Sequence, residues 1–561
     1  MTDKKTIVDW ALHWEAQSPD VLHFIQPRGG GAANIKTWSY GQAVQEARRM
    51  ASYLLKLGLP PKSRVAICSK NCAHWILADW AIWMAGHVSV PLYPTLAPNV
   101  VRYILEHSES KLLFVGKLDP IWNEMKVAVP AGIEKISFPL APPSDHPRWD
   151  DIVAKHEPLA QPVRRGFDEM ATIIYTSGST GQPKGVMLSF GALEAATAGI
   201  SNLLGIDQSD RMLSHLPMAH TMERWLVGCG STRAAFQVFF TESADTFMHD
   251  LKRARPTLFI SVPRLWSKFQ AGVFERVASP KLERLLRVPL LGGLVKKKVL
   301  EGLGLDAVRF AGSGSAPIPA ELLAWYRKLG LELLEGYGMS ENFNYSHVTK
   351  PGQVRVGYVG SPYDGVECKL GEGAEILVKS PATMIGYLKQ PGESREAFTL
   401  DGFLRTGDCG TIDELGRLKI TGRIKEIFKT SKGKYVAPSP IENRLLDHPL
   451  VEQCCVSGTG QPQPFGLIVL SEEARGKAHG SGKQPIEAEL IQHLERVNEE
   501  LDSVERLQFL SVVGNPWSAE NGLLTPSLKI RRAKIEEAYG PRVASWYAQN
   551  KKLVWSDSLG R

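Results

Sequence analysis

The apolar positions of residues 36–116 switch repeatedly between a helical and a strand period. Ala43, Val44, Ala47, Met50, Ala51, Leu54 and Leu55 recur at three- and four-residue spacing and share one helix face. Ser39, with Gln42 three positions on, predicts a capping box at the start of that helix, and Gly58 with Pro60-Pro61 ends it. RVAICS at 64–69 is an apolar run of strand length, residues 100–107 have helical spacing, and LLFVG at 112–116 is strand again. Strands and helices in alternation predict parallel sheet units. The most apolar stretch, 75–90, is interrupted by Asp79, Gly86 and His87, which predicts a buried helix and strand and no membrane span. Further strands are expected at 171–175, within 254–269, at the start of 308–319 and, with turns, across 357–379. Residues 486–501 have helical periodicity, and 458–464 and 476–483 read as exposed loops. Residues 281–300 are basic and apolar together, which predicts a solvated helix pair broken at Pro289 and Gly292-Gly293. Such a segment is also of the kind that lies on an anionic membrane surface, so peripheral membrane contact enters as an expectation. No short-period repeat appears, which excludes a solenoid.

Composition adds bounds. A chain of 561 residues is too long for one ordinary core, so two or more domains are expected. A net charge of +7 argues against a dedicated nucleic-acid binder and suits anionic ligands. Seven cysteines with no C-x-x-C and no zinc-like spacing with histidine predict a reducing, cytoplasmic setting. Asp9 and Glu15 break the N-terminal segment, which does not read as a signal peptide.

The candidate chemistry centres on 173–186, IIYTSGSTGQPKGV. A strand runs into Thr176, Ser177, Gly178, Ser179, Thr180 and Gly181, followed by Pro183, Lys184 and Gly185. Phosphate oxygens only accept hydrogen bonds, so hydroxyls, bare backbone N–H groups and a lysine are the groups a polyphosphate needs. Glycine lets the main chain approach the anion closely. The string is no Walker loop, because Lys184 is followed by Gly185 and the earlier glycines are misplaced. A nucleophile elbow is excluded as well, since no serine has glycine both two positions before and two after it.

Further motifs follow in order: LSHLPMAHTMERW (213–225), ARPTLFISVPRLWSKF (254–269), VRFAGSGSAPIP (308–319), LLEGYGMSENFNY (333–345), LRTGDCG (404–410), TGRIKEIFKTSKGKYVAPSPIE (421–442) and ENGLLTPSLKIRRAKI (520–535). Together with the loop at 176–184 they resemble the adenylate-forming, AMP-binding superfamily, and most closely its long-chain fatty-acid–CoA ligases. The resemblance implies an α/β and α+β fold: a large N-terminal domain (1–424) of sheets flanked by helices plus a distorted β-barrel, and a small mobile α+β domain (425–561). It implies that ATP is held by Thr176–Gly181 and Lys184, by Gly314, Ser315, Ala316 and Pro317 at the adenine, and by Gly336, Tyr337, Gly338, Met339 and Ser340. It also implies ribose contacts from Asp408 and Arg423, Mg²⁺ on Glu341, His220 beside the acyl carboxylate, and Lys529 as the catalytic lysine. Trp225 bounds the acyl tunnel or belongs to the core. Lys425 matches the hinge, and Lys429 and Gly433 match the route of CoA. Ser340 stands where threonine is commoner, and Lys432 where glycine is.

The implied reaction joins a medium- or long-chain fatty acid to CoA through acyl-AMP, with release of pyrophosphate and AMP. Transfer to a carrier-protein thiol, closure of a β-lactone, or an acyl- or nucleotide-binding protein without catalysis are the alternatives.

Overall fold

The computed structural model describes residues 4–30, 34–118, 120–176, 182–289, 291–478, 482–518, 521–525 and 529–556. The helix Tyr40–Lys56 begins as its sequence dictates, with Ser39 and Gln42 exchanging both bonds of a capping box. Its apolar face is buried from Ala43 to Leu54, but Leu55 turns outward and is exposed. The helix Ala73–Met84 is buried along its whole length, so its hydrophobic residues need no polar face.

Around these helices lies a seven-stranded sheet, ordered Gly386–Tyr387, Lys184–Ser189, Met170–Thr176, Val88–Leu92, Arg64–Cys68, Leu112–Val115, Glu134–Ser137. Its centre is parallel, as the strand–helix alternation requires, and the pair Met170–Thr176 with Lys184–Ser189 is antiparallel. A five-stranded sheet places Leu258–Ser261, Phe310–Ser313 and Leu333–Tyr337 side by side and parallel. Ser261, the small-residue turn after Ser313, and the Tyr337 turn therefore leave the same edge. A third sheet carries Arg211–Ser214, whose end leads into the His215–His220 loop. A four-stranded antiparallel sheet joins Glu367–Leu370, Glu375–Lys379, Leu404–Ile412 and Leu418–Arg423.

The smaller C-terminal domain has its own mixed sheet, Val451–Ser457, Phe465–Leu470, Leu510–Val513 and Leu553–Trp555. The helices Pro438–Leu446, Lys483–Glu499 and Arg532–Ala548 pack against it over separate apolar clusters. The large and small domains thus each bury a core of their own.

Two local expectations are corrected. The break in 281–300 falls between the helices Ser279–Arg287 and Leu291–Leu303, and Gly292-Gly293 lie inside the second helix. Gly292 serves close packing there: a Cβ would lie 2.5 Å from the Leu286 carbonyl oxygen. Residues 476–478, expected in a loop, end the helix Glu472–Ala478.

Candidate functional site

Thr176 ends its strand directly opposite Lys184, which opens the next. Ser177, Gly178, Ser179, Thr180 and Gly181 of the expected phosphate loop lie outside the described residues. The Lys184 ammonium is ion-paired with Glu393 and stands 5.0 Å over the Tyr387 ring. Neither partner belongs to a motif recognised in the sequence.

The turn after Leu333–Tyr337 is fixed by its backbone. Met339 N–H donates to Asn342 Oδ1 at 3.0 Å, and Phe343 and Asn344 adopt left-handed φ of 46° and 62°. A Cβ on Gly338 would fall 2.5 Å from Asn344 Cα, so only glycine fits under this turn. The turn presents Glu341, whose Oε1 accepts from the Tyr387 hydroxyl at 2.9 Å. Burial raises the Glu341 carboxyl above the usual range, while Tyr387, Arg423 and Lys184 draw it back down. Beside it, Gly314–Pro317 follow their strand as a loop in which Ser315 takes a left-handed φ of 70°.

Asp408 and Arg423 face each other across adjacent antiparallel strands. Arg423 Nε donates to Asp408 Oδ1 at 2.7 Å, and the Tyr337 hydroxyl donates to Oδ2 at 2.7 Å. The sequence suggests only an aromatic face for Tyr337; its hydroxyl also ties the turn after Leu333–Tyr337 to Asp408.

His220 caps a short helical turn: its Nδ1 accepts from Met222 N–H at 3.1 Å. That bond assigns the proton of the neutral ring to Nε2. Burial, and then the Lys529 ammonium, hold the ring down to about 4, so it is neutral at physiological pH. The loop carrying it is clasped from outside the motif. Asn71, after the strand Arg64–Cys68, donates to Leu216 O at 2.6 Å and accepts from Met218 N–H at 3.1 Å. Glu223 Oε1 accepts from Ser214 Oγ, His215 N–H and Asn71 Nδ2 at 2.7, 3.0 and 3.2 Å. Burial raises this carboxyl to about 8. His215 Nε2 lies 3.2 Å from Ser261 Oγ, which joins the loop to the strand Leu258–Ser261. Trp225 is buried in a π-helical turn, Arg224–Cys229, edge-on to Tyr363.

Lys529 comes from the small domain. Its N–H donates to Thr525 Oγ1 at 3.1 Å and its carbonyl accepts from Thr525 N–H at 2.8 Å, which closes the loop that presents it. Arg532 anchors the base of that loop on Glu442 at 2.7 Å, so the basic run is part of the domain's framework. Arg531 is exposed and donates to Gly522 O at 3.2 Å. Lys529 is exposed as a residue, while neighbouring protein desolvates its ammonium end. Burial and then Arg423 lower its pKa, and Asp408, Glu341 and Glu426 oppose them. The Lys529 ammonium acts on His220, and the charges of Arg423, Asp408 and Glu341 act on Lys529, so each of the four lies within electrostatic reach of it.

Lys425 sits in a single 3₁₀ turn, Ile424–Glu426, immediately after Arg423. Lys429 and Gly433 lie together on the exposed hairpin that follows, where Gly433 turns at a φ of 75° and the Lys429 ammonium stands 5.4 Å over Tyr435.

This arrangement has counterparts. Residues 12–388 match the family model described as AMP-binding enzyme, and residues 425–551 match that of the AMP-binding enzyme C-terminal domain. The chain belongs to the AMP-binding enzyme family. It is 30% identical over 552 residues to the long-chain-fatty-acid–CoA ligase FadD15 of Mycobacterium bovis, covering 90% of this chain and 91% of that one. It is 31% identical over 597 residues to the peroxisomal long chain acyl-CoA synthetase 6 of Arabidopsis thaliana, covering 94% and 83%. The adenylation domain of a carboxylate reductase from Mycobacterium chelonae has the same fold, with a TM-score of 0.80 at 23% identity over 97% of this chain and 91% of that one.

Proposed function

We propose that the protein is an AMP-forming acid–thiol ligase that activates a medium- or long-chain fatty acid with ATP and transfers the acyl group to CoA. The observation that carries this reading is the hydrogen-bonded set of Tyr337, Asp408 and Arg423, with Glu341 held by Tyr387, within electrostatic reach of Lys529 from the small domain. The names of the ligase relatives from Mycobacterium bovis and Arabidopsis thaliana support the substrate class.

In the first step a carboxylate oxygen of the fatty acid attacks the α-phosphorus of ATP, the bond to the β-phosphate oxygen breaks, and pyrophosphate leaves with the electron pair. A carboxylate is ionised near pH 7, so no base is required. His220, neutral with a proton on Nε2, is suited to donate a hydrogen bond to the carboxylate and orient it. Lys529 offsets the charge shared between carboxylate and phosphate, in a cleft where such preorganised groups act strongly. Thr176–Gly181 and Lys184 hold the phosphates. Lys184 is then released from Glu393. The Asp408 oxygens, oriented by Arg423 and Tyr337, retain lone pairs for the ribose hydroxyls. Gly314–Pro317 and Gly336–Ser340 enclose the adenine.

Glu341 offers a hard carboxylate oxygen held in place by Tyr387, a donor that fits Mg²⁺. When bound, Mg²⁺ supplies positive charge to the phosphate oxygens.

In the second step the small domain, divided from the large one at Lys425, rotates. Lys529 withdraws, and the Lys429–Gly433 hairpin turns toward the cleft to complete the route for CoA. The thiol sulfur attacks the acyl carbon of acyl-AMP, the C–O bond breaks, AMP leaves with the electron pair, and the thiol proton is released. Seven free cysteines support a cytoplasmic location. Among the described residues no helix is long and apolar enough to cross a membrane.

The test is AMP release from ATP across a panel of acids from acetate to long-chain fatty acids and aromatic acids, with CoA, with a holo-carrier protein, and with neither. AMP release and thioester formation that need CoA and favour longer aliphatic chains are expected. Turnover only with the carrier protein, or preference for acetate or a benzoate, overturns the reading.

A further inference from the structure

Three side chains of the large domain gather at a place that takes no part in the proposed chemistry. Glu46 comes from the helix Tyr40–Lys56, His74 from Ala73–Met84, and Asp150 from the first turn of Trp149–Lys155. One ligating atom from each lies within 4.8 Å of the other two.

His74 is the unusual member. Its side chain is 3% exposed, and neither ring nitrogen has a hydrogen-bond partner. Nε2 lies 3.2 Å from Glu46 Oε1 without the alignment of a hydrogen bond. That oxygen already accepts from Trp149 Nε1–H at 2.8 Å, and Oε2 accepts from Trp38 Nε1–H at 2.7 Å. Buried polar atoms are normally satisfied, so His74 marks a place where a partner of another kind fits. The ring is held by its packing: Trp38 and Trp149 each meet it edge-on at 5.5 Å, and Phe138 lies at 5.8 Å.

The geometry suits a cation. Ligands about 2.0–2.2 Å from one ion stand about 3.0–3.5 Å apart at octahedral or tetrahedral angles, and His74 Nε2 and Glu46 Oε1 are 3.2 Å apart. The two indole N–H groups orient the Glu46 carboxylate as outer partners orient a metal ligand, and each oxygen keeps a second lone pair. Lys36 stands 3.7 Å from Oε2, the oxygen away from the histidine contact. A surface cavity of about 380 Å³, lined by Gln42, Gln45, Glu46, Arg49, Val153 and Ala154, opens on Glu46 and gives a path from solvent. One imidazole and two carboxylates select a divalent transition cation of the zinc class over Mg²⁺ or Ca²⁺, which favour oxygen alone.

We propose that Glu46, His74 and Asp150 form a binding site for one divalent cation of the zinc class, with His74 Nε2 and an oxygen of each carboxylate as ligands and water completing the shell. The ion joins three helices that are far apart in sequence and adds to the stability of the large domain. It does not enter the reaction, and its binding does not depend on the acyl-activating reading.

The experiment is equilibrium dialysis of the full chain, stripped with EDTA and freed of it, against Zn²⁺ in buffer without Mg²⁺ or ATP. Co²⁺ absorption and thermal melts accompany it. One equivalent of Zn²⁺ per chain, a cobalt spectrum of nitrogen and oxygen ligands, and a Tm that rises with Zn²⁺ concentration are expected. Asp150→Asn alters a half-buried residue outside the core. It should weaken binding at least about tenfold, because loss of even an outer partner of a metal costs about 10–100-fold, and it should abolish the Tm response. Its metal-free Tm and its turnover should match the wild type, which shows that it folds. Glu341→Gln, which removes the carboxylate proposed for Mg²⁺, should keep its equivalent of Zn²⁺. Absence of binding would reduce the cluster to a histidine–glutamate ion pair and overturns the proposal. Unchanged binding by Asp150→Asn overturns it too. So does a sulfur-to-cobalt charge-transfer band, which would assign the ion to cysteine, or loss of the equivalent in Glu341→Gln, which would assign it to the proposed nucleotide site.

Discussion

Arg423 and Asp408 are cross-strand neighbours in register, and their side chains meet at 2.7 Å one residue before the turn that holds Lys425. The last strand of the large domain thus ends on a residue proposed to contact the ribose, next to the proposed hinge. The Arg423 side chain is 55% exposed, so the pair contributes little to stability and its role is orientation. Asp408→Asn should raise KM for ATP by about 10–100-fold, in line with the loss of charge-assisted bonds of about 1.5–3 kcal/mol, and leave Tm within a few degrees. Steady-state kinetics with a thermal melt checks both; a large fall in Tm with unchanged KM would mean a structural role.

Lys529→Ala should uncouple the half-reactions. Losing one preorganised donor costs about 10²–10³ in rate, so acyl-AMP formation should fall by that factor. Thioester formation from presynthesised acyl-AMP and CoA should stay near the wild-type rate. Arg531→Ala, which removes an exposed charge nearby, is the control and should spare both steps. An equal loss in both half-reactions, or an equal effect of the control, contradicts the assigned role.

The protonated form of Lys529 is the one that offsets charge, and its pKa is lowered by burial and by Arg423. Adenylation should therefore decline as pH rises through a value below the ordinary lysine range. Lys529→Arg keeps its charge at all these pH values, so whatever rate it retains should lack that alkaline limb. Pyrophosphate exchange followed against pH reads this out, and an identical alkaline limb in the variant would assign the titration to another group.

Lys425→Pro should impair thioester formation more than adenylation. Proline fixes φ near about −65° and removes an N–H, which restrains rotation within the single turn Ile424–Glu426. The comparison is pyrophosphate exchange against acyl-CoA output. A parallel loss in both would locate the domain rotation elsewhere.

Glu223 gives a stability prediction with a definite sign. Its folded pKa is raised by burial to about 8, so between the ordinary carboxyl range and that value the folded state holds a proton that the unfolded chain has lost. Stability from this group is fully present at low pH and declines as pH rises through that window. Glu223→Gln keeps an oxygen to accept from Ser214, His215 and Asn71, and should flatten the decline. Urea midpoints at pH 5 and pH 9 measure it: the variant should gain on the wild type only at the higher pH.

Much was legible in the linear chain because the relevant physics is local. Hydrophobic period and capping residues set the helix Tyr40–Lys56 and the strands Arg64–Cys68, Leu112–Val115 and Met170–Thr176. The motifs around His220, Tyr337–Glu341, Asp408–Arg423 and Lys529 are short strings whose residue types suit an adenylate. What the sequence could not decide is which side chains hold those groups. Asn71 lies 145 residues from the Leu216 carbonyl that it binds, and Tyr387 reaches Glu341 from 46 residues away. Glu393 meets Lys184 because Gly386–Tyr387 joins the sheet beside Lys184–Ser189. Nor does periodicity separate a glycine that breaks a helix from one that lets two helices touch, as at Gly292. The sequence by itself determined many of the secondary elements and supplied the chemical groups proposed for the reaction, since both depend on neighbours in the chain. The tertiary structure alone decided their surroundings, and with them the neutral state of His220 and the lowered pKa of Lys529, because burial and Coulomb interactions depend on distance in space.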